Sequence, residues 1–405
     1  MKVALNVLST VGKRTGIGHY TAELLKELHL LPGCTVKSFP TWWMQSIRAA
    51  CFPDSGKMAD VPAQRTGFSL PPALRTWAAT AMRRTWWTAM AAQARHQLRP
   101  EQVDLYHEPN FAPLPAGVPV VVTVHDLSPI SHPQWHPTDR VQAIEANLVR
   151  TLTRMSHFFT VSQAMKDEMI ARWGIEQEKI TVTYNGVRTI FRTMLPTIAK
   201  SYCEKLGLPE NFLLHVGTIE PRKNLEMLMR AYVNIPANIR QSCPLVLVGR
   251  WGWKTETIAR YFQETARHQG VIHLGYTTEQ ELAALTTMAR ALVYPSLYEG
   301  FGMPAAEKMA SGGAVLGSTA TAIAEVLGPC GTTLDPADQQ SWTQAMKRAI
   351  TDNEWLTILK QGTTTRSQQF TWKNCAEQTM LGYHRALGMD RVRHQREDAR
   401  PRHPD

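Results

Sequence analysis

The amino-acid sequence predicts an α/β protein with two Rossmann-like domains that face each other across a cleft. The chain has 405 residues, which is long for one hydrophobic core and sufficient for two. Each half begins with the same pattern of strand, glycine-bearing loop and helix, at residues 3–28 and again at residues 212–232. Valine-rich runs such as residues 118–124 are typical of strands buried on both faces of a parallel sheet.

The composition is that of an ordinary soluble globular protein. Apolar residues make up 43% of the chain and charged residues 19%. The six cysteines have no CxxC spacing, as expected for thiols in a reducing compartment. No apolar run approaches the roughly 18 to 20 residues of a membrane span, and residues 1–5 predict a strand and not a signal peptide. We therefore expect a cytoplasmic protein, either free or bound at the inner face of the cytoplasmic membrane.

Positive charge is concentrated in one segment, residues 40–100. The formal net charge is +10, and this segment contains eight Lys and Arg residues against two Asp. It also contains five tryptophans, which are Trp42, Trp43, Trp77, Trp86 and Trp87. Two interpretations are open: the tryptophans fill the core beside a long helix over residues 73–98, or the segment binds an anionic membrane surface. No nucleic-acid-binding motif is present, so we expect no nucleic-acid partner.

The first predicted unit is a strand at residues 3–8, a glycine-rich loop at residues 9–18 and an amphipathic helix at residues 19–28. The loop, which includes Gly16 and Gly18, is typical of turns that approach a phosphate group at the start of a parallel unit. It lacks the full dinucleotide-binding pattern, so a purely structural turn explains it as well.

Polar side chains follow two neighbouring predicted strands of the first half. The strand at residues 118–124 ends at His125 and Asp126. The strand at residues 103–107 ends at His107 and is followed by Glu108. The C-terminal ends of parallel strands open into the crevice where ligands bind, so these four side chains are candidate site residues. The alternative for His125 is a purely structural hydrogen bond at its strand end.

Further strands of this half are predicted at residues 158–161 and 180–184. The second of them ends in the turn signal Asn185-Gly186.

The second half begins with a strand at residues 212–216, followed shortly by Arg222, Lys223 and Asn224. We expect Asn224 to cap the N-terminus of the next helix. Two adjacent cations at a helix start are unfavourable unless they face an anion, because the helix dipole is positive there. A diphosphate would supply that anion, bound by the fork of Arg222 and the point charge of Lys223.

Two more strands are predicted at residues 244–249 and 271–275. The loop after Gly249 is well placed for a nucleotide base, and Thr278 with Glu281 predicts a capping box at the start of a helix.

A strand at residues 291–294, a glycine-rich turn and a helix that begins near Pro304 form the most informative stretch. Glu299 lies on the turn and Glu307 lies inside the helix. Backbone N–H groups at such a helix start bind anions. Solvated charges are the alternative for the two carboxylates, but the neighbours of Glu299 favour a lined pocket; these are Tyr298, Phe301 and Met303.

The pattern E-G-F-G-x-P-x-x-E from Glu299 to Glu307 resembles the signature of the retaining nucleotide-sugar glycosyltransferases of family 4, which have the GT-B fold. The segments V-x-x-H-D-L, which ends at Leu127, and E-P-R-K-N, which ends at Asn224, extend the resemblance. Their spacing is similar to that of bacterial transferases that build O-antigen and other polysaccharides, often from GDP-mannose.

The resemblance implies a domain division. Residues 1–190 would form the acceptor domain, which includes residues 40–100, and residues 191–370 the nucleotide-sugar donor domain. Residues 371–390 would be a helix that crosses back to the first domain. The Arg-, His- and Pro-rich tail at residues 391–405 predicts disorder.

The resemblance also implies roles for the candidate residues. Glu299 and His125 would orient the transferred sugar, while Arg222 and Lys223 would bind the leaving diphosphate. Glu307 would accept hydrogen bonds from the ribose. The other donor-binding candidates are Gly16, Gly18, Asn185, Gly249, Phe301, Gly302 and Met303. Acceptor contacts would come from His107, Glu108 and Asp126.

The expected function is transfer of a sugar, mannose from GDP-mannose in the first instance, to a growing lipid-linked cell-surface polysaccharide. No D-x-D motif is present, so we expect neither a metal nor another cofactor. The alternatives are a transferase that uses UDP- or ADP-glucose, a non-hydrolysing nucleotide-sugar epimerase of the same architecture, and a nucleic-acid-binding protein. The sequence departs from the family pattern at Tyr184, Thr218, Gly313 and Ala324.

Overall fold

The computed structural model describes residues 1–12, 16–51, 72–111 and 113–389. The predicted disordered tail at 391–405, the middle of the segment 40–100 and the centre of the first glycine-rich loop lie outside the described residues.

The first domain is built on a six-stranded parallel sheet with strand order β2-β1-β3-β4-β5-β6. Its strands are β1 (Lys2–Asn6), β2 (Thr35–Phe39), β3 (Leu105–Glu108), β4 (Val120–Val124), β5 (His157–Thr160) and β6 (Ile180–Val182). All five residues of β4 are buried, because helices cover both faces of the sheet.

The second domain has its own six-stranded parallel sheet with strand order β12-β11-β10-β7-β8-β9. Its strands are β7 (Leu213–Val216), β8 (Leu245–Val248), β9 (Val271–Gly275), β10 (Ala291–Tyr294), β11 (Ala314–Ser318) and β12 (Thr332–Leu334). The two parallel sheets confirm the predicted α/β class. The strand order reverses between β7 and β10, and ligands of such sheets bind at this switch point beyond the C-terminal ends of the strands.

Helices of the described residues connect the strands. In the first domain they are α1 (Gly16–Leu30), α2 (Trp42–Cys51), α3 (Pro72–Gln97), α4 (Ser128–Ser131), α5 (Thr138–Arg154) and α6 (Gln163–Trp173). In the connector and the second domain they are α7 (Ile190–Thr193), α8 (Pro196–Lys205), α9 (Leu225–Val233), α10 (Ala237–Arg240), α11 (Glu256–Glu264), α12 (Glu279–Met288), α13 (Met303–Ala310), α14 (Ala322–Leu327), α15 (Gln339–Thr351), α16 (Asn353–Lys360) and α17 (Thr363–Ser367). The last helix is α18 (Trp372–Ala386). Within the described ranges, no helix is both long and apolar enough to span a bilayer.

The last helix, α18, packs on the sheet of the first domain. Tyr383 and Trp372 are buried in the same apolar cluster as Val3 and Leu5 of β1. The turn before the connector is close to this helix, since a Cβ on Gly186 would lie 2.3 Å from the backbone N of Trp372. The chain therefore returns to the first domain after completing the second.

The helix starts of the second domain confirm one prediction and correct another. Thr278 and Glu281 form the expected capping box at the start of α12. Asn224 does not cap α9 with its side chain, because its backbone is left-handed, with φ of 57°. Its amide instead donates to the carbonyl oxygens of Pro295 (3.3 Å) and Pro336 (2.8 Å), which holds the start of α9 against the end of β10.

A buried lysine explains one departure from the family pattern. Lys308 in α13 is 1% exposed, and its ammonium donates to the carbonyl oxygens of Thr286 and Ala289 at the end of α12. Burial lowers the pKa of Lys308 to about 7. A Cβ on Gly313 would lie 2.0 Å from Cε of Lys308. Gly313 therefore leaves the space that the lysine stem fills.

We expect Gly313→Ala to lower the free energy of unfolding by about 1–3 kcal/mol, because the added methyl overpacks the lysine stem. In a Lys308→Ala background the same substitution should cost much less, since the obstructing side chain is gone. Urea unfolding of the four proteins measures this coupling as a double-mutant cycle. Gly117→Ala, whose Cβ would be 3.4 Å from its nearest neighbour, is the control. Additive effects at positions 308 and 313 would contradict this account.

Candidate active site

The centre of the site is an ion cluster around Glu299, in the turn after β10. Arg222 Nη1 donates to Glu299 Oε2 at 2.7 Å, and Lys223 Nζ donates to Glu299 Oε1 at 2.5 Å. Lys223 also donates to the hydroxyl of Tyr294 at 3.1 Å. Glu299 and Lys223 are each 6% exposed. The turn after β7 and the turn after β10 therefore meet at the switch point of the second sheet.

Burial and charge act in opposite directions on these groups. Burial alone would raise the pKa of Glu299, but Arg222 and Lys223 outweigh it and hold this pKa well below its usual range. Burial lowers the pKa of Lys223, and Glu299 offsets this only in part. The two cations expected to need an external anion thus have a protein carboxylate as their partner. Glu299 is therefore ionised, and its carboxylate offsets part of the positive charge of this pair without a ligand.

Arg222 extends the cluster toward the first domain. Its Nη2 donates to Glu220 at 2.8 Å and its Nη1 to the carbonyl oxygen of Tyr298 at 2.7 Å. Nη1 also lies 3.7 Å from Oδ2 of Asp126, which follows β4 of the first domain. One guanidinium therefore fixes the loop of Glu299 and approaches the facing domain.

Glycines allow the strand ends to approach each other beneath this cluster. Gly249 has φ of 147°, and a Cβ on it would lie 1.9 Å from the carbonyl oxygen of Gly217. A Cβ on Gly217 would be 3.2 Å from Cε of Lys223. Gly302, with φ of 100°, precedes the first turn of α13. Gly249 and Gly302 therefore shape the floor and one edge of the predicted donor site.

His125 faces the same turn from the first domain. A Cβ on Gly300 would lie 1.7 Å from the carbonyl oxygen of His125, so the two loops touch. The ring of His125 hydrogen-bonds with the Pro109 carbonyl at 3.0 Å and packs edge-on against Tyr20 at 4.5 Å. Burial lowers the pKa of His125 to about 4. The imidazole is therefore neutral at physiological pH.

Glu307 lies at the second turn of α13 and is 5% exposed. Its Oε1 accepts a hydrogen bond from Arg188 Nη2 at 2.8 Å, and Arg188 Nη1 donates to Glu279 at 2.7 Å. Burial raises the pKa of Glu307, against the opposing charge of Arg188. Sequence reasoning missed Arg188. Its only signal is a cation placed three residues after Asn185, in the connector between the domains.

The remaining donor candidates lie at the starts of two helices and in the turn between the two glutamates. Gly16 and Gly18 form the start of α1, after loop residues that lie outside the described part of the chain. Phe301 is 3% exposed and packs edge-on against Phe370 at 5.4 Å, which anchors the turn between the two glutamates. Met303 begins α13 and is only partly buried.

Asn185 is 7% exposed, at the junction of the two domains. Its Oδ1 has no hydrogen-bond partner among the described residues. This oxygen is buried, so its hydrogen-bonding capacity is unused in the described part of the chain.

The structure corrects the expectation that His107 and Glu108 contact an acceptor. The strand β3 continues to Glu108, so both side chains lie within the sheet. His107 is fully buried, and its ring nitrogens hydrogen-bond with Tyr383 and Thr123, both at 2.7 Å. Glu108 Oε2 accepts from Asn6 and from Tyr106, both at 2.6 Å, and burial raises its pKa to about 7. Asp126, in contrast, lies beside Arg222.

Several further bonds join the two domains beside the cluster. Ser162 donates to the carbonyl oxygen of Gly300 at 2.7 Å. Glu325 of α14 accepts from the backbone N of Gln163 (2.7 Å) and of Ala164 (3.0 Å), which are the first residues of α6. It also accepts from the hydroxyl of Tyr184 at 2.7 Å. The tyrosine that departs from the family pattern thus takes part in the interdomain contact.

Among the described residues, no group of three or more His, Cys, Asp or Glu side chains is arranged to hold a metal ion. The expectation of metal-free chemistry remains a prediction.

Known proteins with similar sequences are glycosyltransferases. The family profile of glycosyltransferase family 4 matches residues 15–190, and that of group 1 glycosyl transferases matches residues 202–366. The chain is 33% identical over 281 residues to the O-antigen chain mannosyltransferase B of Escherichia coli, which covers 69% of this chain and 74% of that protein. It is 32% identical over 273 residues to the serotype-specific mannosyltransferase WbdA of Escherichia coli, which covers 66% of this chain and 33% of WbdA.

Solved structures with a similar fold include HepE of Anabaena in complex with UDP and glucose, with a TM-score of 0.65 at 18% identity, over 94% of this chain and 98% of HepE. They also include WaaG, a glycosyltransferase involved in lipopolysaccharide biosynthesis, with a TM-score of 0.65 at 16% identity, over 93% of this chain and 98% of WaaG. These likenesses confirm the predicted GT-B fold.

We expect Glu299→Gln to lower the free energy of unfolding by about 3 kcal/mol, because two buried cations lose their partner. Inorganic pyrophosphate should then stabilise the variant more than the wild-type protein, since it supplies the missing negative charge. Thermal unfolding with and without pyrophosphate measures both effects. Glu226→Gln, which removes one end of an exposed ion pair, should change little. A smaller pyrophosphate shift in Glu299→Gln than in wild type would contradict the expectation.

Proposed function

Because the chain belongs to glycosyltransferase family 4, as the resemblance in its sequence predicted, we propose that it transfers mannose from GDP-mannose to a growing lipid-linked cell-surface polysaccharide. It is a hexosyltransferase with the GT-B fold. The choice of mannose and of a polysaccharide acceptor is supported by relatives that are O-antigen and serotype-specific mannosyltransferases.

The observation that best supports this function is the buried cluster of Arg222, Lys223 and Glu299 at the switch point of the second sheet. The diphosphate of a nucleotide-sugar would compete with Glu299 for the two cations. Glu299, once released, would accept hydrogen bonds from hydroxyls of the transferred sugar. Glu307 would accept from the ribose, because its Oε2 receives no hydrogen bond from the described residues.

The proposed reaction retains the configuration of the anomeric carbon. The bond between this carbon and the diphosphate oxygen breaks, and the oxygen leaves with the electron pair. The acceptor hydroxyl attacks on the same face, and its proton passes to the leaving phosphate oxygen. Arg222, Lys223 and the backbone N–H groups at the start of α13 would stabilise the charge that develops on the diphosphate. Neutral His125 would orient the sugar without adding charge.

We further propose that part of the segment 40–100 contacts an anionic bilayer, where the lipid-linked acceptor resides. The tryptophans of this segment whose side chains are described differ in their exposure. Trp86 is in the core, whereas Trp42, Trp43 and Trp87 are 77%, 46% and 51% exposed. Tryptophans prefer the headgroup level of a bilayer, and Arg95 and Arg99 on the same part of the chain would attract anionic lipids. The enzyme would then work at the inner face of the cytoplasmic membrane.

The proposed function is tested by thermal unfolding with GDP, UDP, ADP and their sugar adducts, with EDTA present. A nucleotide at about 100 times its dissociation constant adds about 2.7 kcal/mol of stability. Stabilisation by GDP and GDP-mannose alone would support the proposal. Stabilisation by UDP or ADP instead would contradict GDP-mannose as the donor and indicate a UDP- or ADP-sugar. Isomerisation of a nucleotide-sugar without any acceptor, detected by mass spectrometry, would contradict a transferase and indicate an epimerase.

We expect Lys223→Ala and Glu307→Ala to lower mannose transfer by at least about 100-fold, the usual effect of removing one group that stabilises developing charge or fixes the donor. Transfer of radiolabelled mannose from GDP-mannose to a lipid-linked acceptor measures the activity. Circular dichroism checks that each variant is folded. Lys373→Ala, on the exposed side of α18, is the matched control. Full activity in either site variant would remove the donor-site assignment.

We expect the triple variant Trp42→Ser, Trp43→Ser, Trp87→Ser to lose at least about tenfold in binding to phosphatidylglycerol-containing vesicles, a difference of about 1.4 kcal/mol. Co-sedimentation measures it, with neutral phosphatidylcholine vesicles as reference. Leu195→Ser with Ile198→Ser removes exposed apolar side chains of the second domain and should leave binding unchanged. Equal losses in both variants would contradict a specific membrane face.

A further inference from the structure

We infer that Arg188 is a positioning residue of the donor site, which holds one oxygen of the Glu307 carboxylate and leaves the other turned toward the ribose. The inference rests on the proposed function, because it assumes that Glu307 binds the donor. It concerns a residue of the connector and not of the signature from Glu299 to Glu307.

Arg188 is fixed at several points. Its Nη1 donates to Glu279 at 2.7 Å and its Nη2 to Glu307 at 2.8 Å. The guanidinium lies over the ring of Phe191, 4.8 Å from the ring centre. The backbone beside it is also held, since the N–H of Val187 donates to the carbonyl oxygen of Phe370 at 3.0 Å. A planar group bonded at both ends and stacked on a ring has little freedom to move.

The two oxygens of the Glu307 carboxylate differ in their hydrogen bonds. Arg188 occupies Oε1, and Oε2 accepts no hydrogen bond from the described residues. The proposed role of Glu307 is to accept hydrogen bonds from ribose hydroxyl groups. An ionised carboxylate suits this role because both of its oxygens accept, whereas a protonated carboxyl carries a proton on one of them. Arg188 thus fixes one oxygen and leaves the other for a ligand.

The charges around Glu307 make Arg188 its principal counter-ion. Burial raises the pKa of Glu307, the charge and hydrogen bond of Arg188 lower it, and the charge of Glu279 raises it slightly. Other charged groups on helices packed against α13 are engaged elsewhere. Each of them has a hydrogen-bond partner other than Glu307: Arg192 bonds Ser367, Lys308 bonds the Thr286 carbonyl, Arg366 bonds the Glu325 carbonyl, Glu325 bonds the start of α6, and Glu281 bonds Thr278.

The consequence is a defined dependence on pH. Without Arg188, the pKa of Glu307 rises further, so a larger fraction of Glu307 is protonated at mildly acidic pH. A protonated carboxyl is a poorer acceptor for the ribose hydroxyls. The affinity for the nucleotide should therefore fall most at low pH and recover as the pH rises through the elevated pKa.

The experiment measures the dissociation constant of GDP by isothermal titration calorimetry between pH 5.5 and 8.5 for the full chain. UDP or ADP takes its place if the thermal panel selects one of them. Arg188→Met should weaken binding at least about tenfold at the acidic end, a difference of about 1.4 kcal/mol, with a smaller loss at the alkaline end. Arg188→Lys retains the charge but lacks the planar fork whose two nitrogens bond Glu279 and Glu307, so it should restore much of the pH profile and only part of the affinity.

Arg192→Met is the matched control, because Arg192 is a half-buried arginine of the adjacent helix α7 that bonds Ser367 and not Glu307. It should leave the pH profile of binding as in wild type. Glu307→Gln tests whether Glu307 binds the nucleotide at all. Unchanged GDP affinity in Glu307→Gln overturns the donor assignment itself.

Weaker binding in Glu307→Gln, together with a wild-type pH profile in Arg188→Met and Arg188→Lys, overturns only the role of Arg188. If Arg188→Met does not fold, Arg188→Lys alone decides: a wild-type affinity and profile for it overturns the bridging role.

Discussion

The structure depends on the ion cluster of Arg222, Lys223 and Glu299, which is buried where the two domains meet. Burying charges costs several kcal/mol for each ion unless partners and hydrogen bonds compensate. The surrounding fold supplies this compensation through Tyr294 and the Tyr298 carbonyl. It also supplies glycines that bring the ends of β7 and β8 together beneath Lys223. The second sheet thus holds a charged site that is largely shielded from water. Electrostatic interactions with a ligand are stronger there than at an exposed surface.

The sequence is sufficient to predict that candidate residues meet where they are close along the chain or follow the ends of neighbouring strands. Glu299 and Glu307 are eight residues apart on one turn and one helix, and Arg222 with Lys223 follow the end of a predicted strand. Parallel strands place their C-terminal ends on one edge, so the meeting of these turns could be expected without coordinates. The α/β class and the capping box of Thr278 were predictable for the same reason.

The sequence could not predict contacts between residues that are far apart in the chain. It also could not predict the end of a strand to within one residue. Arg188 and Glu307 are 119 positions apart, and nothing in the connector indicates their bond. His107 seemed to end its strand, but β3 continues by one residue, and His107 bonds Tyr383 of the last helix. Asn224 has the right side chain for a cap, but its left-handed backbone turns the amide toward other carbonyls. Each of these is decided by tertiary structure and not by local propensity.

The stem of Lys308 fills the space over Gly313, so the residues at these two positions constrain each other. A larger residue at 313 fits only if the side chain at 308 moves or becomes smaller, because the added Cβ would lie 2.0 Å from Cε of Lys308. Lys308 immediately follows Glu307 in α13, so a rearrangement of its stem would act on the helix turn that holds this carboxylate. A position after the end of the helix thus limits which substitutions the site can accept next to Glu307.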